Sequence, residues 1–252
     1  VSFNNWVSYS DTMMTVAIDT LPADQPITRN ATVWANGINR INFITADSPD
    51  VFGYAIYRRQ NNGNWFNIKF IQYGVPVVPY TWYDSTANTL LDYNQYVVVT
   101  LDSCLNATPS DTFHIIQLRG NPGERQSILR WHRFRGYGID TFTVQKWDGV
   151  SFSNYATVAN DTNFIDPAQP CNVPQYYRIT ARENSGIRTT LSDSIQIIPF
   201  DSIHPQPVQM DFTTVLNNNQ LGLQWKLTDP DARDFIVQRK INSGLYTTLD
   251  TV

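Results

Sequence analysis

Leu129-Arg130-Trp131, Phe142-Thr143-Val144-Gln145-Lys146, Gly149-Val150-Ser151-Phe152, Ile165-Asp166 and Tyr177-Arg178-Ile179-Thr180-Ala181 follow one another in the second half of the chain. Each run alternates apolar and polar side chains and is bounded by turn-forming residues, the pattern of a half-buried strand. No window of helical length keeps an i, i+3, i+4, i+7 apolar stripe. The segment reads as a string of short strands.

The same order recurs on both sides. Upstream stand Ile41-Asn42-Phe43, Tyr54-Ala55-Ile56-Tyr57-Arg58, Gly63-Asn64-Trp65-Phe66, Tyr83-Asp84 and Tyr96-Val97-Val98-Val99-Thr100. Downstream stand Leu223-Gln224-Trp225, Phe235-Ile236-Val237-Gln238-Arg239 and Gly244-Leu245-Tyr246. Ser10-Asp11-Thr12, Ser110-Asp111-Thr112 and Ser192-Asp193-Ser194 mark the repeat; Asp11 to Asp111 spans 100 residues and Asp111 to Asp193 spans 82. Each marker opens a strand-like run, followed by an expected Pro-bearing connector: Leu21-Pro22, Asn121-Pro122 and His204-Pro205-Gln206-Pro207. Self-similarity at a fixed period signals an array of like units. Seven short strands in about 80 to 100 residues is what an immunoglobulin-like β-sandwich requires.

The predicted fold is therefore all-β: tandem seven-stranded sandwiches, truncated at both ends. Residues 1–24 are expected to hold the last strand of a preceding domain plus a linker. Residues 25–119 and 120–204 each make a domain, and residues 205–252 supply strands A, B, C and C′ of a further one. Phe43, Tyr54, Tyr96, Trp131, Phe142 and Tyr177 are the expected core.

Composition supports this. Of 252 residues 42% are hydrophobic, 13% aromatic and only 16% charged, with 14 Pro and 12 Gly spread as punctuation. A net charge of −4, with no basic run, argues against nucleic acid or an anionic membrane as partner. No stretch approaches the roughly 18 consecutive apolar residues of a membrane helix, so direct membrane insertion is not expected. Val1-Ser2-Phe3-Asn4-Asn5 has neither the basic nor the apolar region of a signal peptide.

Chemistry is sparse, and the chain is expected not to be an enzyme and to need no cofactor. His114, His132 and His204 lack a second ligand at metal spacing, and solvent-facing strand or linker histidines are expected. No HExxH, GxSxG, P-loop or GxGxxG occurs. The recurring Asp of Ser-Asp-Thr/Ser is expected to bond backbone donors at a turn. Asp47 and Asp50 stand in one predicted B–C loop, and Asp229, Asp231 and Asp234 in another. The latter three are weak calcium candidates, because Ca²⁺ takes six to eight oxygens; Arg233 within the run and the ordinary use of Asp-Pro in turns favour a plain turn. Trp34, Trp65, Trp82 and Trp147 suit either sugar stacking or core and rim packing.

The Leu-x-Trp run, the aromatic-x-aliphatic-x-basic run and the Tyr-x-aliphatic-x-small run resemble strands B, C and F of fibronectin type III domains. A narrower resemblance is carried by Leu101-Asp102-Ser103-Cys104, with Cys just past strand F, and Asp166-Pro167-Ala168-Gln169-Pro170-Cys171, with Cys in the E–F loop. Both look like repeats of type IX-secreted, gliding-motility-associated bacterial surface proteins. That resemblance implies a secreted, cell-surface spacer or adhesive stalk. Its partners would be neighbouring domains of the same longer chain, surface glycans, or the secretion and motility machinery. It also implies O-glycosylation at Asp-Ser/Thr-aliphatic motifs, with Thr20 and Ser202 the accessible connector candidates. In the type III topology Cys104 and Cys171 fall at opposite poles of a two-domain rod, too far apart to pair. Each becomes a candidate for a disulfide to an adjoining domain, and two unpaired thiols are the alternative. The competing functions are an accessory region of a secreted enzyme such as a glycoside hydrolase, and a glycan-binding module.

Overall fold

Alternation becomes strand pairing in the computed structural model, which describes residues 9–15, 19–72, 78–135, 137–139, 141–217, 220–227, 232 and 234–252. The chain divides into two compact units, Val1–Phe200 and Asp201–Val252. Among the described residues the only helical element is a 3-10 turn at Ala35–Gly37.

The first unit contains two sandwiches. In the first, strands β1 (Ile27–Val33), β2 (Asn39–Ile44) and β5 (Pro79–Asp84) form one sheet in the order β1-β2-β5. The facing sheet holds β3 (Val51–Gln60), β4 (Trp65–Gln72), β6 (Asn94–Asp102), β7 (Ala107–Pro109) and β8 (Phe113–His114), ordered β4-β3-β6-β7 with β8 also on β6. The second repeats the plan: β9 (Leu118–Gly123), β10 (Gln126–Trp131) and β13 (Asn163–Asp166) in the order β13-β10-β9. Opposite lie β11 (Thr141–Trp147), β12 (Phe152–Ala159), β14 (Gln175–Arg182), β15 (Thr189–Leu191) and β16 (Ile195–Ile197), ordered β12-β11-β14-β15 with β16 on β14. Strands A, B and E thus face C′, C, F and G, the arrangement of a fibronectin type III sandwich. Register matches between the copies, with Ile56 opposite Val98 and Val144 opposite Ile179. The six expected core aromatics are all buried, Phe43, Tyr96 and Tyr177 completely. Burying each such side chain stabilises by about 1.5–3 kcal/mol.

Strand G is broken in both sandwiches, and the Ser-Asp marker sits at the break. Ser110 N donates to Val98 O at 2.7 Å, and Val98 N donates to Ser110 Oγ at 3.0 Å. Ser192 repeats this with Ile179, both distances being 2.8 Å. Each hydroxyl then donates to the carbonyl of the next residue, Asp111 or Asp193. A side-chain oxygen thus replaces a ladder acceptor where the strand jogs. The serine performs the repeated task, and the expected bond from aspartate to a turn amide is made in the second sandwich, by Asp193 to Ser194 N.

One connector expectation changes. Asn121-Pro122 is no connector: both residues lie inside β9, with Pro122 paired to Ser127. β9 is the edge of its sheet, where a missing N–H costs no ladder bond. Of residues 1–24, expected to hold a last strand plus a linker, the described residues 9–15 and 19–24 form no strand, and the others lie outside the described residues.

In the second unit β17 (Gln209–Asn217) pairs with β18 (Gln220–Lys226), and β19 (Ile236–Lys240) with β20 (Tyr246–Thr251). The Trp225 and Phe235 rings, 5.9 Å apart, join the two hairpins.

Candidate functional site

The strongest buried polar group in each sandwich is a basic–acidic–tyrosine triad. Arg58 Nη1 meets Asp84 Oδ2 at 2.6 Å, and the Tyr96 hydroxyl donates to the same oxygen at 2.9 Å. Lys146 Nζ and the Tyr177 hydroxyl reach Asp166 Oδ2 at 2.9 and 2.7 Å. Burial raises the Asp84 carboxyl, but the Thr86 hydroxyl, Arg58, the Thr86 amide and Tyr96 outweigh it and leave it below its ordinary range. Burial and the neighbouring carboxylate push Tyr96 well up, so it stays a donor. Both carboxylates are fully enclosed and saturated. These triads tie strand C to strands E and F and offer nothing to a substrate.

The junction between the two sandwiches is the most distinctive feature. The connector is Ile115-Ile116-Gln117, and all three residues are buried. Ile115 belongs to the core of the first sandwich and Ile116 to that of the second. One peptide bond therefore separates the two cores. Around it β1 lies against β15. Asn30 Nδ2 donates to Thr189 O at 2.8 Å, Thr190 Oγ1 to Ala31 O at 2.6 Å, and Leu191 N to Thr32 Oγ1 at 2.8 Å. The Thr89 hydroxyl bonds the Asp193 carboxylate, and Arg188 lies 4.6 Å over the Tyr137 ring.

Histidine placement departs from expectation. His114 is buried rather than solvent-facing, because strand G ends at this junction and the second sandwich closes over it. Its Nδ1 bonds the Tyr93 hydroxyl, and His132 stacks on the Tyr93 ring at 4.2 Å. His132 and His204 are exposed. Burial, followed by the charges of Arg135 and Arg59, lowers His114 to about 4. Beside these rings stand Arg59, Arg133 and Arg135, which sequence reading passed over. The available signal was His132-Arg133-Phe134-Arg135 in a chain with only 18 Lys and Arg.

The remaining candidates are scattered. Cys104 and Cys171 are exposed and unbonded. Cys104 lies in the turn closed by Asp102, beside the segment carrying Asp19, whose carbonyl accepts from Asn106 Nδ2 at 3.3 Å. Cys171 precedes Asn172, whose amide donates to Pro199 O at 2.8 Å. Thr20 and Ser202 are both exposed, each beside an aspartate that caps the residue two ahead: Leu21 N to Asp19 Oδ1 and Ile203 N to Asp201 Oδ1, both at 3.0 Å. Of the calcium candidates, Asp229 and Asp231 lie outside the described residues, and Asp234 is exposed. The acids that do converge are Asp19, Asp50 and Asp102, with one oxygen of each within 4.8 Å of the others. Asp102 is already occupied by Cys104 N, Asn106 N and Asn106 Nδ2 at 2.7–2.9 Å. Trp82 packs on the core, whereas Trp34, Trp65 and Trp147 are 47%, 36% and 40% exposed. Arginines cover two of these: Arg40 lies 4.1 Å over Trp34 and Arg59 4.7 Å over Trp65.

No family model and no curated protein matches the chain. Among solved structures 223 chains match. One is the crystal structure of chicken CNTN1 FN1-FN3 domains, similar over 71% of this chain and 68% of that one, with 12% identity and a TM-score of 0.30. The sheet order itself defines tandem fibronectin type III-like β-sandwich domains. No helix among the described residues is long and apolar enough to cross a membrane.

Proposed function

We propose that this chain is a non-catalytic spacer or adhesive stalk segment of a secreted bacterial cell-surface protein, of the type IX-secreted, gliding-associated kind. The observation that supports it is the junction: a connector with no exposed residue, whose neighbouring isoleucines anchor in opposite cores. Inter-domain contacts within a chain are usually more polar and permit relative motion. Here bending requires withdrawing Ile115 or Ile116 from a core, which suits a part that must transmit position and force. The buried carboxylates of Asp84 and Asp166 are taken up by structural bonds. The exposed, matching Asp19-Thr20-Leu21 and Asp201-Ser202-Ile203 turns suit modification outside the folded cores.

Three measurements test this. Residual dipolar couplings from residues 27–114 and 118–197 of the full chain should fit one common alignment tensor; independent tensors would remove the stiff-spacer reading. An antiserum to the chain should label intact cells of the source organism, with labelling lost after surface proteolysis. Labelling only after lysis overturns the cell-surface assignment. Glycopeptide mapping of native material should find sugar on Thr20 and Ser202 ahead of Thr12 and Ser194, and bare connectors reject that part.

A further inference from the structure

At the junction a cavity of about 470 Å³ opens between the sandwiches, and its charged lining is all of one sign. Arg59 comes from β3 of the first sandwich; Arg133 and Arg135 come from the B–C loop of the second. His114, Tyr93 and Gln95, all buried, form the floor. Among the described residues no carboxylate lines the cavity, although the chain carries 22 acidic residues against 18 basic ones. Among the described residues none of the three guanidinium groups forms an ion pair.

The Arg59 charge is held in place, and the loop that carries Arg133 and Arg135 is anchored through its backbone. Arg59 Nε donates to Gln95 Oε1 at 2.5 Å, and its guanidinium lies 4.7 Å over Trp65. Gln95 Nε2 in turn donates to Asn62 Oδ1 at 3.2 Å. The Arg135 carbonyl accepts His114 N at 3.0 Å, which fixes the B–C loop over the floor. Like charges gathered this way repel, and their field helps keep His114 neutral. Planar guanidinium forks are the groups that best match oxyanions, and preorganised ones lose less entropy on binding.

We infer that this pocket binds an anionic ester carried on a sugar, either a sulfate monoester with one negative charge or a phosphate monoester with close to two. The guanidinium groups would take the anionic head. The cavity lies within the roughly 300–1,000 Å³ range of small-molecule sites, so it holds more than a lone tetrahedral anion. The Asn62 carboxamide and Thr112 hydroxyl on the lining supply uncharged partners for sugar hydroxyls. Because the arginines come from both sandwiches, the ligand would bridge them. This goes beyond the spacer reading and stands without it.

Calorimetry on the full chain at pH 7 and low salt, with N-acetylglucosamine 6-sulfate, glucose 6-phosphate, inorganic sulfate, inorganic phosphate and N-acetylglucosamine, tests the inference. At least one ester should bind tenfold or more tighter than its inorganic anion, and the neutral sugar should give no heat. Arg59→Gln and Arg135→Gln should each weaken the ester at least tenfold, while Arg130→Gln, at an exposed position of β10, leaves it unchanged. Imidazole signals of His114 and His132 should shift with the ester, placing it in this cavity. Arg135→Gln changes an exposed loop position and Arg59→Gln a half-buried one, and circular dichroism checks that both fold. Equal affinity for ester and inorganic anion overturns the sugar part. Absence of ester binding at millimolar concentration, or wild-type affinity in the Arg59 and Arg135 variants, overturns the site.

Discussion

Neighbouring residues Ile115 and Ile116 should destabilise different domains when truncated. Ile115 is 2% exposed in one core and Ile116 fully enclosed in the other. Replacing isoleucine by alanine removes three buried carbons, worth about 2.4 kcal/mol at ~0.8 kcal/mol each, and leaves a cavity that adds further cost. A total near 3 kcal/mol speeds exchange through global opening of that domain roughly 150-fold, since about 1.4 kcal/mol is a factor of ten. Hydrogen exchange followed by mass spectrometry reads this strand by strand. Ile116→Ala should accelerate β14 by about that factor and leave β6 within a few-fold of wild type; Ile115→Ala should do the reverse. If both variants loosen the same strand equally, the connector does not divide between two cores, and the stiff-junction argument fails with it.

Three more outcomes follow from the same geometry. Ser110→Ala and Ser192→Ala each leave a buried amide, Val98 N or Ile179 N, without its acceptor, and should cost about 1–3 kcal/mol in urea unfolding, whereas Asp111→Asn should cost little. His114, held near 4 against an ordinary 6.5, takes up a proton in the unfolded chain before the folded one. Stability should thus be fully present above about pH 6.5 and fall as pH drops towards 4, by at most ~3 kcal/mol before solvent screening at the open rim. Thermal unfolding of His114→Phe should flatten that slope; an unchanged slope removes His114 as its cause. Non-reducing peptide mapping of native material should find Cys104 and Cys171 joined to other cysteines, and a Cys104–Cys171 bond refutes the inter-domain disulfide reading.

The strands and their repeat were legible because alternation is a local property. Leu129-x-Trp131 and Phe142-x-Val144 must face one way on a pleated strand whatever surrounds them, and three copies in one order leave a sandwich as the economical burial. The triads were half visible: Arg58, Asp84 and Tyr96 each stood in a quoted run, but pairing register alone brings them onto one oxygen. Composition misplaced the connector, because Pro122 resembles punctuation while Ile115-Ile116 resembles strand. Only packing reveals that an edge position tolerates the proline and that the adjacent isoleucines turn into opposite cores. His114 looked like a surface strand residue until the second sandwich covered it. Arg59 and Arg135 carry no mutual signal in the sequence, since they lie on different domains and meet only across the junction. Period-2 patterning is written into a few consecutive residues, whereas a pocket is made by contacts between segments far apart in the chain, and those the tertiary structure alone decides.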